Sequence, residues 1–188
     1  MVFRLASAAL GTVARPVTSG RLRPELRWLG VAGLAWTVAG VLSPHVAAHE
    51  LGCDAVDAGE IRYVDQTRHD DALAHAVTTW HALGRVDILP NGWWTVADLV
   101  WTDVNRTDVT WDGLFYCRIF GTATAYLNDA FLEGDSQHNK RAVTTHELGH
   151  GLGLGHSYKP QIMYRCATCG GFTTPQAHDR EDYFKLWP

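Results

Sequence analysis

Residues 146–156 read H-E-x-x-H-x-x-G-x-x-H, and no other stretch restricts the fold and chemistry of this chain as tightly. His146 and His150 are four apart, so on a helix they share one face and can hold one metal ion together. Glu147 lies beside the first of them, where a carboxylate can take a proton from an activated water. Gly153 permits a left-handed turn that ends the helix. The chain can then swing back and bring His156 in as a third ligand. Three imidazoles with a fourth position left open describe a catalytic zinc rather than a structural one. A histidine pair at helical spacing is often incidental, but here a glycine and a third histidine also fall at fixed offsets.

Seven residues past His156 comes Met163, in the run Gln161-Ile162-Met163-Tyr164, and His156 is followed by Ser157. Together with the eleven-residue run, these residues resemble the metzincin zinc metallopeptidases, and within them the matrixin-like branch. The resemblance implies an α+β, zincin-like catalytic domain. Its expected parts are a twisted mixed sheet of four to five strands, three helices and a Met-turn at Met163. It implies that Met163 floors the zinc histidines and that Glu147 is the catalytic base. It also implies that the strand before the motif helix is an antiparallel sheet edge that binds extended substrate, here Tyr126, Leu127 and Asn128. Some relatives place a tyrosine ligand two residues after the methionine. That position is Arg165 here, so no such ligand is assigned. The wall of the specificity pocket is expected from Val143 and the loop after Met163.

Residues 1–48 differ from the rest. They hold five arginines and one acid, Glu25, then an apolar run from Leu29 to Leu42 and a small-residue site at Val46-Ala47-Ala48. Basic region, apolar core and A-x-A-like site read as a secretory signal peptide. The apolar run is shorter than the roughly 20 residues that span a bilayer, and an uncleaved anchor at residues 29–42 is the alternative. Residues 49–188 are then a single catalytic domain, secreted and expected to be monomeric, with no membrane contact once the signal is cut. The whole chain carries 16 Lys plus Arg against 20 Asp plus Glu, and without residues 1–48 its net charge falls to −8. An acidic domain lacks the basic footprint that nucleic acid requires. The expected partners are protein or peptide substrates.

All four cysteines, Cys53, Cys117, Cys166 and Cys169, lie after residue 48. An even count in an exported protein favours disulfides, with three pairings open. Cys53–Cys117 with Cys166–Cys169 is the favoured one, and a redox or metal role for Cys166-Ala167-Thr168-Cys169 is the alternative. Matrixins are held latent by a Pro-Arg-Cys-Gly-x-Pro segment. Cys53 sits in Leu51-Gly52-Cys53-Asp54, so cysteine-switch latency is not expected.

Periodicity supplies the remaining elements. Strands are expected at 61–65, 85–89, 98–103 and 121–128. Helices are expected from Asp70 or Asp71 to about Leu83, from Asn139 to Leu152 and from Pro175 to Leu186. Residues 104–117 read as irregular. Trp80 and Trp187 fall on apolar stripes, whereas Trp93 and Trp94 sit beside a turn. One catalytic Zn2+ is expected. His69, His75, His81, His138 and His178 are the remaining candidates for a structural zinc. Asp103, Asn105 and Asp108 hint at Ca2+ without the spacing of an EF-hand loop. The rival reading is a non-catalytic zinc-binding recognition module on the same fold.

Overall fold

The computed structural model describes residues 48–118 and 120–188. The signal-peptide reading of residues 1–48, Ala48 apart, and the anchor reading of 29–42 fall outside that set. No described helix is long and apolar enough to cross a membrane.

Strand β1 (Glu60–Gln66) leads into helix α1 (Asp70–His81) and returns as β2 (Asp87–Pro90), which pairs parallel with β1. Parallel neighbours require a crossover of this length. Helix α1 buries Leu73, Ala76 and Trp80 on one stripe. Asp70 and Asp71 occupy its first turn instead of capping it; the N-cap is His69, which makes no side-chain cap bond. The two carboxylates suit the positive end of the helix dipole there. Strand β3 (Leu99–Val104) lies parallel on the other side of β1, and β5 (Ala123–Asn128) parallel to β3. After the one-turn helix α2 (Asp129–Leu132) come α3 (Gln137–Gly151) and α4 (Ala177–Leu186). Ser136 Oγ accepts the backbone N–H of Asn139 and caps α3. Trp80, fully buried, donates from its indole to the Thr145 carbonyl at 2.8 Å and locks α1 onto α3. The result is the α+β, mixed-sheet domain that the sequence implied, with α2 as an addition to the three expected helices.

The sheet order, β2-β1-β3-β5 and then β4 (Gly113–Tyr116), corrects one expectation. The strand carrying Tyr126, Leu127 and Asn128 is not an edge. It lies between β3 and the antiparallel β4, inside the stretch that read as irregular. Physical chemistry agrees with the interior placement. Leu127 and Asn128 are buried. The Asn128 side chain accepts from Arg106 N and donates to the carbonyls of Arg106 and Trp111, fastening the preceding loop. The outer strand is therefore β4, whose Leu114 and Tyr116 are exposed while Gly113 and Phe115 face inward. Trp101 joins Trp80 in the core, Trp187 is partly buried, and Trp93 and Trp94 are fully exposed.

Cys53 is bonded to Cys117 and Cys166 to Cys169. The first bond ties the segment before β1 to the end of β4. That segment also pairs with the loop leaving α3, through Leu51 N to Gly153 O and Ala55 N to Gly151 O, both 2.8 Å.

Candidate metal centre

Helix α3 carries His146, Glu147 and His150 on its buried face. The helix stops at Gly151, and Gly153, at φ +86°, turns the chain into a left-handed conformation that a side chain would resist. His156 then comes back over the helix. Its Nε2 lies 3.3 Å from His146 Nε2 and 3.2 Å from His150 Nε2. Zinc–imidazole bonds of about 2.0–2.1 Å in a tetrahedron place neighbouring nitrogens about 3.3–3.4 Å apart. The spacing is thus that of a zinc site's ligand edge.

The far ring nitrogens fix which atoms face inward. His146 Nδ1 donates to the Ile162 carbonyl and His150 Nδ1 to the Leu154 carbonyl, each at 2.7 Å. With those protons committed, the Nε2 atoms of both rings carry bare lone pairs that converge. With His156 Nε2 at the spacing of zinc ligands from both, the donor set fits zinc. Burial pushes the His146 imidazole down to about 3, with the neighbouring His150 adding to it, and burial pushes His150 down to about 4. His156 is lowered by burial and by the nearby Arg165 cation. All three are neutral at pH 7, which is the ligating form.

The turn at Met163 is built against this helix. Met163 is buried, and a Cβ on Gly149 would lie 2.3 Å from its sulfur. Glycine at 149 leaves the room in which the Met163 side chain packs onto α3 beside Trp80. Asp179 of α4, buried at 1 % exposure, accepts the N–H groups of Ile162 (2.9 Å), Met163 (3.1 Å) and Gln176 (2.7 Å). It therefore holds in place the turn whose Ile162 carbonyl orients His146.

Glu147 is buried, and its Oε2 has no hydrogen-bond partner among the described residues. Burial pushes its carboxyl up to about 8; the Phe115 backbone N–H pulls it down and the Asp112 charge pushes it up. A Cβ on Gly113 would lie 2.7 Å from Glu147 Cγ and Oε1 and from a Val143 methyl. The outer strand can pack onto the Glu147 side chain only because residue 113 has no side chain. A cleft of about 520 Å³ runs between β4, the three histidines and the loop of Arg165, Cys166 and Ala167. Val143 is buried beneath β4 and is not part of the lining, whereas the loop after Met163 is.

The matrixin model of the M10 peptidases matches residues 52–183, most of the chain. The chain belongs to the matrixin family. Matrixins are metallopeptidases and the family implies zinc. No curated protein matches this chain. A solved structure titled "GM1 bound form of the ECX AB5 holotoxin" is similar over 66 % of this chain and 78 % of its own, at 15 % identity and a TM-score of 0.45.

In this matrixin the other sequence candidates lie away from the cleft. His69 bonds Asp129, His75 bonds the Thr173 carbonyl, and His81 accepts from Ile88 N. Asp103 is engaged by Thr67 and Arg68, and Asp108 by Arg106, so with Asn105 they build no common cation site. Sequence reasoning missed Gly113, Asp179 and the β4 edge. A glycine after Asp112 was the visible signal for the first; Asp179 gave none, because its role exists only once α4 docks.

Proposed function

We propose that this matrixin is a secreted zinc endopeptidase, with zinc held by Nε2 of His146, His150 and His156 and with Glu147 as general base. One observation carries the reading: three converging imidazole nitrogens and an unpartnered buried carboxylate oxygen share one open cleft. Zinc, when bound, supplies Lewis acidity that polarises a carbonyl and acidifies water, and its charge favours the ionised form of Glu147. An extended substrate adds to the free edge of β4 by main-chain hydrogen bonds, with Leu114 and Tyr116 flanking it. Glu147 Oε2 takes the proton of the attacking water and returns it to the leaving amine. Cys166, stapled to Cys169, stiffens the opposite wall.

The signal peptide is proposed to be cut between Ala48 and His49, which N-terminal sequencing of exported protein checks. The enzymatic reading is tested by zinc content together with casein or gelatin cleavage, in wild type and Glu147→Ala. Zinc in both proteins with cleavage in wild type alone is the expected result. Hydrolysis surviving in Glu147→Ala removes the assigned role. Zinc without cleavage of any peptide library favours the recognition module.

A further inference from the structure

A second group of potential ligands lies outside the cleft. His49, in the segment before β1, reaches α4. Its Nδ1 is 3.0 Å from Asp182 Oδ2, and His178 Nε2 is 3.1 Å from that same oxygen. The two imidazole nitrogens are 3.1 Å from each other. The three atoms thus form a nearly equilateral triangle. Its edges are a few tenths of an ångström shorter than the about 3.3 Å edge of a tetrahedral zinc site.

Hydrogen bonds alone satisfy this arrangement poorly. If both nitrogens carry protons toward Asp182, two N–H groups crowd together at 3.1 Å. If one is bare, the carboxylate loses a donor. Asp182 is 2 % exposed, and its other oxygen, Oδ1, has no hydrogen-bond partner among the described residues. Lys185 Nζ lies 3.7 Å from that oxygen, beyond hydrogen-bond reach. That oxygen is held only by this long ion pair, and a buried polar atom without a hydrogen bond is costly. The outer nitrogen of His178, Nδ1, faces Glu181 at 3.6 Å. The cluster of His69, Asp103 and Asp129 differs in this respect. There Thr67 and the Arg68 N–H donate to the two oxygens of Asp103, and His69 and the Arg68 guanidinium face the two oxygens of Asp129, so no carboxylate oxygen is left without a donor.

We infer that His49 Nδ1, His178 Nε2 and Asp182 Oδ2 form a second site for a divalent transition-metal ion of the zinc class. Two imidazoles and one carboxylate are a sufficient protein set for such an ion. The backbone nitrogen of His49 lies 3.3 Å from the same Asp182 oxygen. Cutting before His49, as proposed above, converts that amide into an amine and adds a fourth donor; the three side chains make the site without it. The bound ion would pin the segment that crosses the loop leading to His156.

The test is zinc stoichiometry of the purified full-length protein after equilibrium dialysis. Wild type is expected to hold two equivalents, His178→Gln one, and His146→Ala one. Asp182→Asn and His49→Gln repeat the first loss with little change in shape, and far-ultraviolet circular dichroism checks that each variant is folded. In the His146→Ala/His150→Ala protein, added zinc should still raise the thermal midpoint. Adding His178→Gln should remove that rise. Folded His178→Gln, Asp182→Asn and His49→Gln proteins that all keep the wild-type zinc count overturn the second site. If instead His146→Ala keeps the wild-type count while His178→Gln loses one equivalent, the cleft reading fails and the second site stands.

Discussion

Glu147 faces two opposing demands. Catalysis needs its carboxylate ionised, yet burial holds the carboxyl at about 8. Without metal the folded state keeps a proton that the unfolded chain, near the ordinary 4.5, releases. Glu147 therefore subtracts stability increasingly as pH rises from about 4.5 through about 8. His146 and His150 act from the other side. Folded at about 3 and about 4 against an ordinary 6.5, they leave the unfolded state binding more protons. Their contribution is full above 6.5 and is lost as pH falls toward 3–4. Metal-free protein in chelator should thus be most stable at weakly acidic pH. Glu147→Gln should raise its thermal midpoint at pH 8 far more than at pH 4.5; equal shifts at both pH values would contradict the burial argument. The same variant, zinc-loaded, should lose roughly 100- to 10,000-fold in peptide hydrolysis, the usual range for a general base. Gly113 offers a second test. Gly113→Ala drives a methyl group to 2.7 Å from the base, and overpacking of this kind costs about 1–3 kcal/mol. Denaturant unfolding should show that loss together with a fall in kcat.

Elements that rest on their own periodicity were readable in advance. Helix α3 announced itself by its motif and α1 by the Leu73, Ala76 and Trp80 stripe. All four expected strands appear within two residues of their places, as β1, β2, β3 and β5. Strand β4 was not legible, because four residues with one inward aromatic, Phe115, give no alternation to detect. Misreading β5 as the edge followed from that loss, since an edge is a property of neighbours rather than of a strand. Gly113 and Asp179 escaped for a related reason: what they touch is far away in sequence. The contact between α4 and the Met163 turn carries its own expectation. Asp179→Asn leaves one acceptor oxygen where two now serve three N–H donors. Loss of one such bond costs about 1–3 kcal/mol. Because the Ile162 carbonyl orients His146, zinc affinity should also fall, by roughly 10- to 100-fold, as for other groups that position a ligand. Competition with a fluorescent chelator measures it; unchanged affinity would confine Asp179 to stability alone.

Across the molecule, the Cys53–Cys117 bond spans 64 residues of sequence. Closing a loop of that size removes unfolded-state entropy worth about 4 kcal/mol. Cys53→Ser with Cys117→Ser should lower the unfolding free energy by about that amount, read from denaturant midpoints at pH 7. A loss well under 1 kcal/mol would mean that the backbone bonds of residues 51–55 suffice. Those bonds also set a timetable. Residues 49–55 leave the ribosome early, but their partners, Gly151, Gly153 and Gly155, follow about a hundred residues later. Contacts so distant in sequence come late in folding. The backbone bonds of residues 49–55 cannot close until the histidine loop exists to receive them, so a chain stalled before residue 151 has no metal centre and can hold this segment only through the Cys53–Cys117 bond.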